Sequence, residues 1–414
     1  MTETPSQPRS IYDQPELWEW AGSMEGVPDW AGPGETWAER QGRRPWQTRG
    51  NELFALAGAL LPGVAICVVL AGVGELLSVF AGERLMGLAK SPLSPILCAV
   101  VVGLAIRNAI GLPKVYEPGL QFALRRLLRL GVVLLGIRMS LATLGELGLV
   151  ALPIASACIA AAWLTMRGIA RVLGLPPRLG TLIAVGTAIC GNTAIVATGP
   201  AIGAEDDEVS YAVGTITLFG VLALLAYPFA AHALFAGDAR LAGVFLGTAI
   251  HDTAQVAGAG LLYAQHFAAP AALDAATVTK LVRNVLMVGV IPLAALAHRA
   301  DAGAKHGKRL PLSQIVPLFV FGFVAMALLR TLGDLGQSPF GGLLSAESWS
   351  AAIEALSSLS SWCLTIAMAS IGLGTNLTRL RALGARPLVA GLAAALTVGA
   401  VSFGMLQLLR TWVA

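Results

Sequence analysis

Charge is scarce in this 414-residue chain, with Asp, Glu, Lys and Arg making up only 13% of it, where soluble globular proteins approach a quarter. Set against 56% hydrophobic residues and a mean hydropathy of +0.72, that deficit excludes an ordinary soluble protein and makes this a membrane protein. Cysteine is sparse as well. The five, Cys67, Cys98, Cys158, Cys190 and Cys363, lie in apolar segments without C-x-x-C spacing, so neither a disulfide framework nor a zinc site is indicated. No G-x-x-x-x-G-K-[ST], H-E-x-x-H or G-x-S-x-G occurs, which leaves ATP-driven transport by this chain and an intramembrane hydrolase without support. The 28 Lys and Arg are spread between apolar blocks, so the net charge of +4 does not read as a nucleic-acid surface. No apolar h-region precedes Leu53, so no signal peptide fits.

The first 50 residues stand apart, with eight acids, five arginines and five of the nine tryptophans (Trp18, Trp20, Trp30, Trp37 and Trp46). Residues 1–50 read as a polar, irregular cytoplasmic extension whose tryptophans rest at headgroup level; a partner-docking segment is the alternative. Residues 51–414 read as a transmembrane domain. There, apolar blocks of roughly the 20 residues needed to cross a bilayer alternate with short polar punctuation. Eleven are expected, at 53–80, 92–110, 119–141, 149–169, 179–203, 209–236, 240–264, 272–297, 311–330, 350–376 and 386–410. The third carries Arg125, Arg126 and Arg129 in its first half, and an interfacial helix leading into a shorter span is its alternative.

With the N-terminus cytoplasmic and the C-terminus outside, sixteen Lys and Arg, Arg240 among them, fall on inner connections. Only four, Arg84, Lys90, Arg138 and Arg330, fall on outer ones, as the positive-inside rule asks. The run Glu205-Asp206-Asp207-Glu208 then lies outside, capping a helix N-terminus. The stretches Leu135–Leu144 and Ile371–Leu380 match in their glycines and leucines and end spans of opposite direction, the relation of an inverted repeat.

A second echo carries the chemistry. Gly186-Thr187-Ala188-Ile189-Cys190-Gly191-Asn192-Thr193 and Gly247-Thr248-Ala249-Ile250-His251-Asp252-Thr253 begin identically, and both sit mid-span. Glycine and threonine weaken a helix, and polar groups at bilayer depth need a cavity or a partner. Two discontinuous helices are therefore expected, their half-helix N-termini aimed at an anion; close helix packing through small residues is the bland alternative. His251 and Asp252 are candidates for proton coupling, against a bundle-bonded histidine and a capping aspartate. Thr277, Lys280, Arg283, Asn284 and Met287 share one face of the eighth span. Two cations near mid-membrane need acidic partners or a visiting anion.

These residues, with Leu134-Leu135-Gly136-Ile137-Arg138, Ala194-Ile195-Val196-Ala197, Gln255-Val256 and Lys280-Leu281-Val282-Arg283, resemble the YeiH-like family of bacterial inner-membrane proteins, which carry a sulfate-exporter label. The resemblance runs from about Leu53 to the C-terminus, and the tryptophan-rich extension is not part of the pattern. It implies a fold similar to the bile-acid/sodium symporters, with inverted repeats, two crossing discontinuous helices, a core moving against a panel, and a small anion as cargo. The expectation is an all-α polytopic inner-membrane protein, not an enzyme and without cofactor or metal, acting as a secondary transporter of a sulfate-, sulfite- or sulfonate-like anion, an exporter coupled to protons. Substrate would meet Thr187, Cys190, Gly191, Asn192, Thr193, Thr248, His251, Thr253, Gln255, Lys280, Arg283 and Asn284, with His251 and Asp252 as coupling groups. The expected partners are the anion, the bilayer, H+ or Na+, and a second copy of the chain. The alternatives are a sodium-coupled organic-anion symporter, with Asn192, Thr193, Asp252 and Gln255 as ion ligands, and a membrane-embedded sensor or assembly subunit docked through its N-terminus.

Overall fold

The computed structural model describes residues 45–80, 94–301, 318–335, 338–378 and 385–410, and among them every regular element is a helix. The expectations for the tryptophans at 18, 20, 30 and 37 lie outside the described residues. In chain order the helices are α1 (Pro45–Val79), α2 (Pro95–Ala109), α3 (Glu117–Phe122), α4 (Leu128–Leu135), α5 (Leu141–Val172), α6 (Pro177–Ala188), α7 (Asn192–Ile202), α8 (Asp206–Leu234), α9 (Ala239–Ala249), α10 (Thr253–His266), α11 (Ala271–Asp301), α12 (Leu318–Gly333), α13 (Ala346–Gly374) and α14 (Ala385–Leu408). Six of these, α1, α5, α8, α11, α13 and α14, are long and apolar enough to cross a membrane. Large apolar side chains such as Leu76, Leu149, Leu164, Phe321 and Leu396 stay exposed on the outer faces, as a lipid-facing surface requires. All five cysteines are buried and none forms a disulfide.

The third apolar block is a continuous helical path. It runs from α3 through a π turn (Ala123–Leu127) carrying Arg125 into α4 and a final 3-10 turn (Gly136–Arg138). Glycines set its contacts with its neighbours. A Cβ on Gly119 would clash with the Leu60 carbonyl of α1, and one on Gly136 with that of Phe323 in α12. The echoed Gly372 of α13 likewise presses on α2, with the Val100 carbonyl against the place its Cβ would take. The first echo thus marks two close helix contacts.

Both expected discontinuities are present, at residues 189–191 and 250–252. Each half-helix of 11 to 14 residues is about 16 to 21 Å long, roughly half to two-thirds of a bilayer core. Their neighbours show how the halves run. Along α11, Gly243 of α9 packs on Ala272 and Ala275, and Gly247 on Ala276 and Thr279, so α9 runs parallel to α11. In α10, Gly260 packs on Leu273 and Ala276 while Thr253 bonds Asn284, so α10 runs antiparallel to α11. Against α8, Asn192 meets Thr217 and Gly199 meets Val209, so α7 is antiparallel to it. Gln255 meets Thr217 and Gly258 meets Leu224, so α10 is parallel to α8. Each interrupted element therefore folds back on itself. The pair α6–α7 enters from, and returns to, the end where α5 finishes, here the lower end. The pair α9–α10 does the same from the end where α5 begins, the upper end, and the two tips meet in the middle.

This changes part of the charge map. Arg240 reaches Glu146 at the start of α5, 3.9 Å away, and shares a cavity of about 410 Å³ with Arg138 and Arg330. It therefore belongs to the same end as those two, not to the opposite one. The acidic run at Glu205 likewise moves to the lower end, at the N-terminus of α8. There Glu205 and Glu208 form a reciprocal capping box, the helix-end role expected of them. The bias becomes fifteen against five and keeps its sign. Two folded-back blocks remove two crossings from the expected eleven, so parity is unaltered.

Candidate functional site

A helix ends in carbonyls that lack an amide partner, and a helix begins with amides that lack a carbonyl. Two hairpin tips meeting inside a protein bring both kinds together without water, and buried polar groups must find partners. The structure solves this with one turn of α11. Lys280 and Arg283, 1% and 0% exposed, lie three residues apart on the face turned toward both tips. The Lys280 ammonium donates to the carbonyls of Ile189 (2.7 Å), Ile250 (3.2 Å) and His251. The Arg283 guanidinium donates from Nε to Ala188 (3.0 Å), from Nη1 to Gly247 (3.0 Å), Thr248 (2.7 Å) and Ile250 (2.8 Å), and from Nη2 to Thr187 (2.7 Å). These are the terminal carbonyls of α6 and α9. The two cations are placed at the negative ends of the half-helix dipoles, so the partners they take are backbone carbonyls of the breaks.

The positive ends meet an acid. Asp252 is the N-cap of α10 and accepts the Ala254 amide at 2.8 Å. Its other oxygen, Oδ2, faces Gly191, the first residue before α7, and lies near the Asn192 amide without forming an aligned hydrogen bond. Gly191 adopts φ +73° and ψ −125°, and a Cβ there would lie 2.8 Å from Oδ2. Only glycine serves such a backbone so close to a carboxylate. One carboxylate thus stands at both half-helix N-termini, and Lys280 is near enough to act on it electrostatically.

Asp252 lines a cavity of about 70 Å³, room for a small ion and water. Asn192, Thr217, Ala254 and Gln255 form the wall on its side; Leu120, Gln121, Leu124, Ser370 and Ile371 face them from α3, the π turn and α13. Arg107 and Glu117 reach it from the lower ends of α2 and α3. Asn192 donates to Thr217 Oγ1 at 3.2 Å, and Gln255 Nε2 to the Thr217 carbonyl at 3.4 Å.

Of the residues singled out from sequence, the structure gathers Asn192, Asp252 and Gln255 at this cavity. Thr187, Gly191, His251, Lys280 and Arg283 stand behind it at the tips. His251 is fully buried, with Arg283 and Lys280 among its charged neighbours, and does not line the cavity. Cys190 turns its sulfur toward Met287 (3.5 Å), Thr248 bonds Ser402 on α14 (2.5 Å), and Asn284 bonds Thr253 (3.3 Å). Thr193 is not among the lining residues. Sequence reading missed Thr217, Arg107 and Glu117. Arg107 reads as a loop charge, and Thr217, which shares the apolar run of α8 with Thr215, gives no chemical signal of its own.

The known proteins this chain is similar to are labelled membrane proteins. A family model described as Conserved hypothetical protein 698 matches residues 62–391. A UPF0324 membrane protein of Agrobacterium fabrum is 32% identical over 349 residues, 84% of this chain and 93% of its own. One from Bradyrhizobium diazoefficiens is 29% identical over 355 residues, 84% and 93% of the two chains. The UPF0324 inner membrane protein YeiH of Escherichia coli is 29% identical over 338 residues, 80% and 89%. No solved structure matches. By sequence, the chain belongs to the UPF0324 family of membrane proteins, to which YeiH belongs.

Proposed function

We propose that this protein is a secondary active transporter of a small anion of the sulfate, sulfite or sulfonate type, working in the bacterial inner membrane, with Asp252 coupling the anion to a cation. The observation that carries the reading is the place of the Asp252 carboxylate, at the N-termini of α7 and α10 together and on the wall of a cavity. Charged, it fills the position an anion would take at those helix ends. Neutralised by a proton or a bound cation, it leaves two helix N-termini facing the cavity without a counter-charge, while Arg107 and Glu117 at the cavity's lower end offset each other. Anion and cation then favour each other's binding, which is the thermodynamic requirement for coupling. The hairpins and their α11 clamp form the moving body and α2, α3 and α13 the panel.

The test is flux. Full-length protein in liposomes, loaded with radiolabelled sulfate and given an imposed pH or sodium gradient, is expected to move the anion in response. Asp252→Asn is expected to equilibrate the anion while losing the response to the gradient. An unchanged pH and sodium profile in that variant overturns the coupling role. The sensor reading predicts instead that deleting residues 1–50 abolishes function while Asp252→Asn does little.

A further inference from the structure

We propose that the cavity binds an alkali cation, with sodium as its test ion, through side-chain oxygens of Asp252, Gln255, Asn192 and Thr217. This names the coupling ion of the transporter reading and rests on that reading for its physiological role, though not for the binding itself. Four oxygen-bearing side chains from the second tip, α10, α7 and α8 line one wall of one cavity. Asp252 and Gln255 are 4% and 3% exposed, and Asp252 Oδ2 and Gln255 Oε1 have no hydrogen-bond partner. Both orphans are acceptors. A buried acceptor without a partner is costly, and a cation satisfies two of them where an anion satisfies neither.

The Gln255 amide is held in place. Its nitrogen reaches the Thr217 carbonyl at 3.4 Å, and its oxygen occupies the space that a Cβ on Gly220 would need. Gly220 of α8 therefore exists in a form that admits this side chain, and any larger residue would expel it. The donor set is all oxygen, with no sulfur or imidazole among the lining residues, which selects hard cations over transition metals. A single carboxylate on that wall, with Lys280 close by, favours one positive charge over two. Glu117 and Arg107 at the lower end of the cavity are of opposite sign and add no net charge to it. A proton would require Asp252 alone; the three neutral oxygens beside it are what a coordinated ion uses.

The experiment is a thermal unfolding series on purified full-length protein in detergent, with sodium chloride exchanged for choline chloride at constant ionic strength. Wild type is expected to gain thermal stability saturably with sodium, since a ligand that binds only the folded state stabilises it. Asp252→Asn, which preserves the helix cap, is expected to weaken apparent sodium affinity at least tenfold. Thr217→Val serves as a second variant should the first fail to fold, and is expected to shift the affinity in the same direction. No saturable sodium effect in wild type, or an effect undiminished in the folded variant, overturns the site. Saturable binding without anion flux in liposomes under either a sodium or a pH gradient leaves the site standing and refutes the transporter reading. Sodium-independent anion flux without binding does the reverse.

Discussion

Replacing Arg283 by methionine separates a carbonyl clamp from an anion contact. In the wild type this side chain serves five backbone carbonyls. Ile250 has Lys280 as a second partner, so four carbonyls, those of Thr187, Ala188, Gly247 and Thr248, lose the guanidinium outright. A buried acceptor left without a partner costs about 1–3 kcal/mol, and four of them about 4–12 kcal/mol, the size of a whole domain's stability margin. Methionine fills most of the volume and removes the desolvation cost of the charge, but it cannot donate. Arg283→Met is therefore expected not to accumulate as a folded protein. Arg283→Lys, a point charge with fewer donors in a different geometry, is expected to fold with reduced stability. The assay is size-exclusion chromatography of detergent-solubilised protein, followed by thermal unfolding of whatever is monodisperse. A methionine variant as stable as wild type but deficient in anion flux would refute the clamp and make Arg283 an anion contact.

Gly191→Ala is expected to cost about 1–3 kcal/mol from its backbone conformation alone, and to push Asp252 away, 2.8 Å from the new Cβ. Thermal unfolding and sodium titration of the same sample check both, and an alanine variant matching wild type in both contradicts the close approach. Single cysteines at Ala204 and Arg171 are expected to react with an impermeant maleimide from one face of the membrane, and those at Ala239 and Ala142 from the other. Unbroken rods would instead place Ala204 with Ala142. Near the upper end, burial raises the Asp334 carboxyl, but hydrogen bonds from Trp349 (2.9 Å) and Arg330 (2.5 Å), with the Arg330 charge, outweigh it and hold the group below its ordinary value. Its folded value being depressed, its stabilisation is complete above the unfolded value near 4 and is lost as pH falls through the folded one. The acid limb of the stability curve is expected to flatten in Asp334→Asn, and an identical limb in both proteins would refute the contribution.

Much of this architecture is written locally. Apolar blocks, the charges between them, the Glu205–Glu208 cap and the two sites of helix failure all follow from side chains within a few residues of one another, because hydropathy, capping and glycine content act over one or two turns. Asp252 and Gln255 were legible for the same reason, being polar groups at a depth where polarity needs a purpose. Lys280 and Arg283 were conspicuous too, but conspicuousness did not reveal their partners. The sequence contains no pattern for backbone carbonyls, which every residue carries, so composition alone points to acids and anions as partners of the two cations.

What the chain alone determined is that this is a helical membrane protein whose fifth and seventh apolar blocks break beside Gly191 and Asp252. Whether such a break yields a kinked rod or a hairpin lay beyond it. Three non-helical residues, with Gly191 at positive φ in the first break and Ile250 and Asp252 extended in the second, permit either path, and the choice falls to distant helices: α8 and α11 pair with both halves of a hairpin, and Lys280 and Arg283 fasten the two tips together. The same contacts bring Thr217 to Asp252 and move Arg240 to the end of Arg138. Those are long-range pairings between surfaces alike in composition, and only close packing in three dimensions distinguishes one such surface from another.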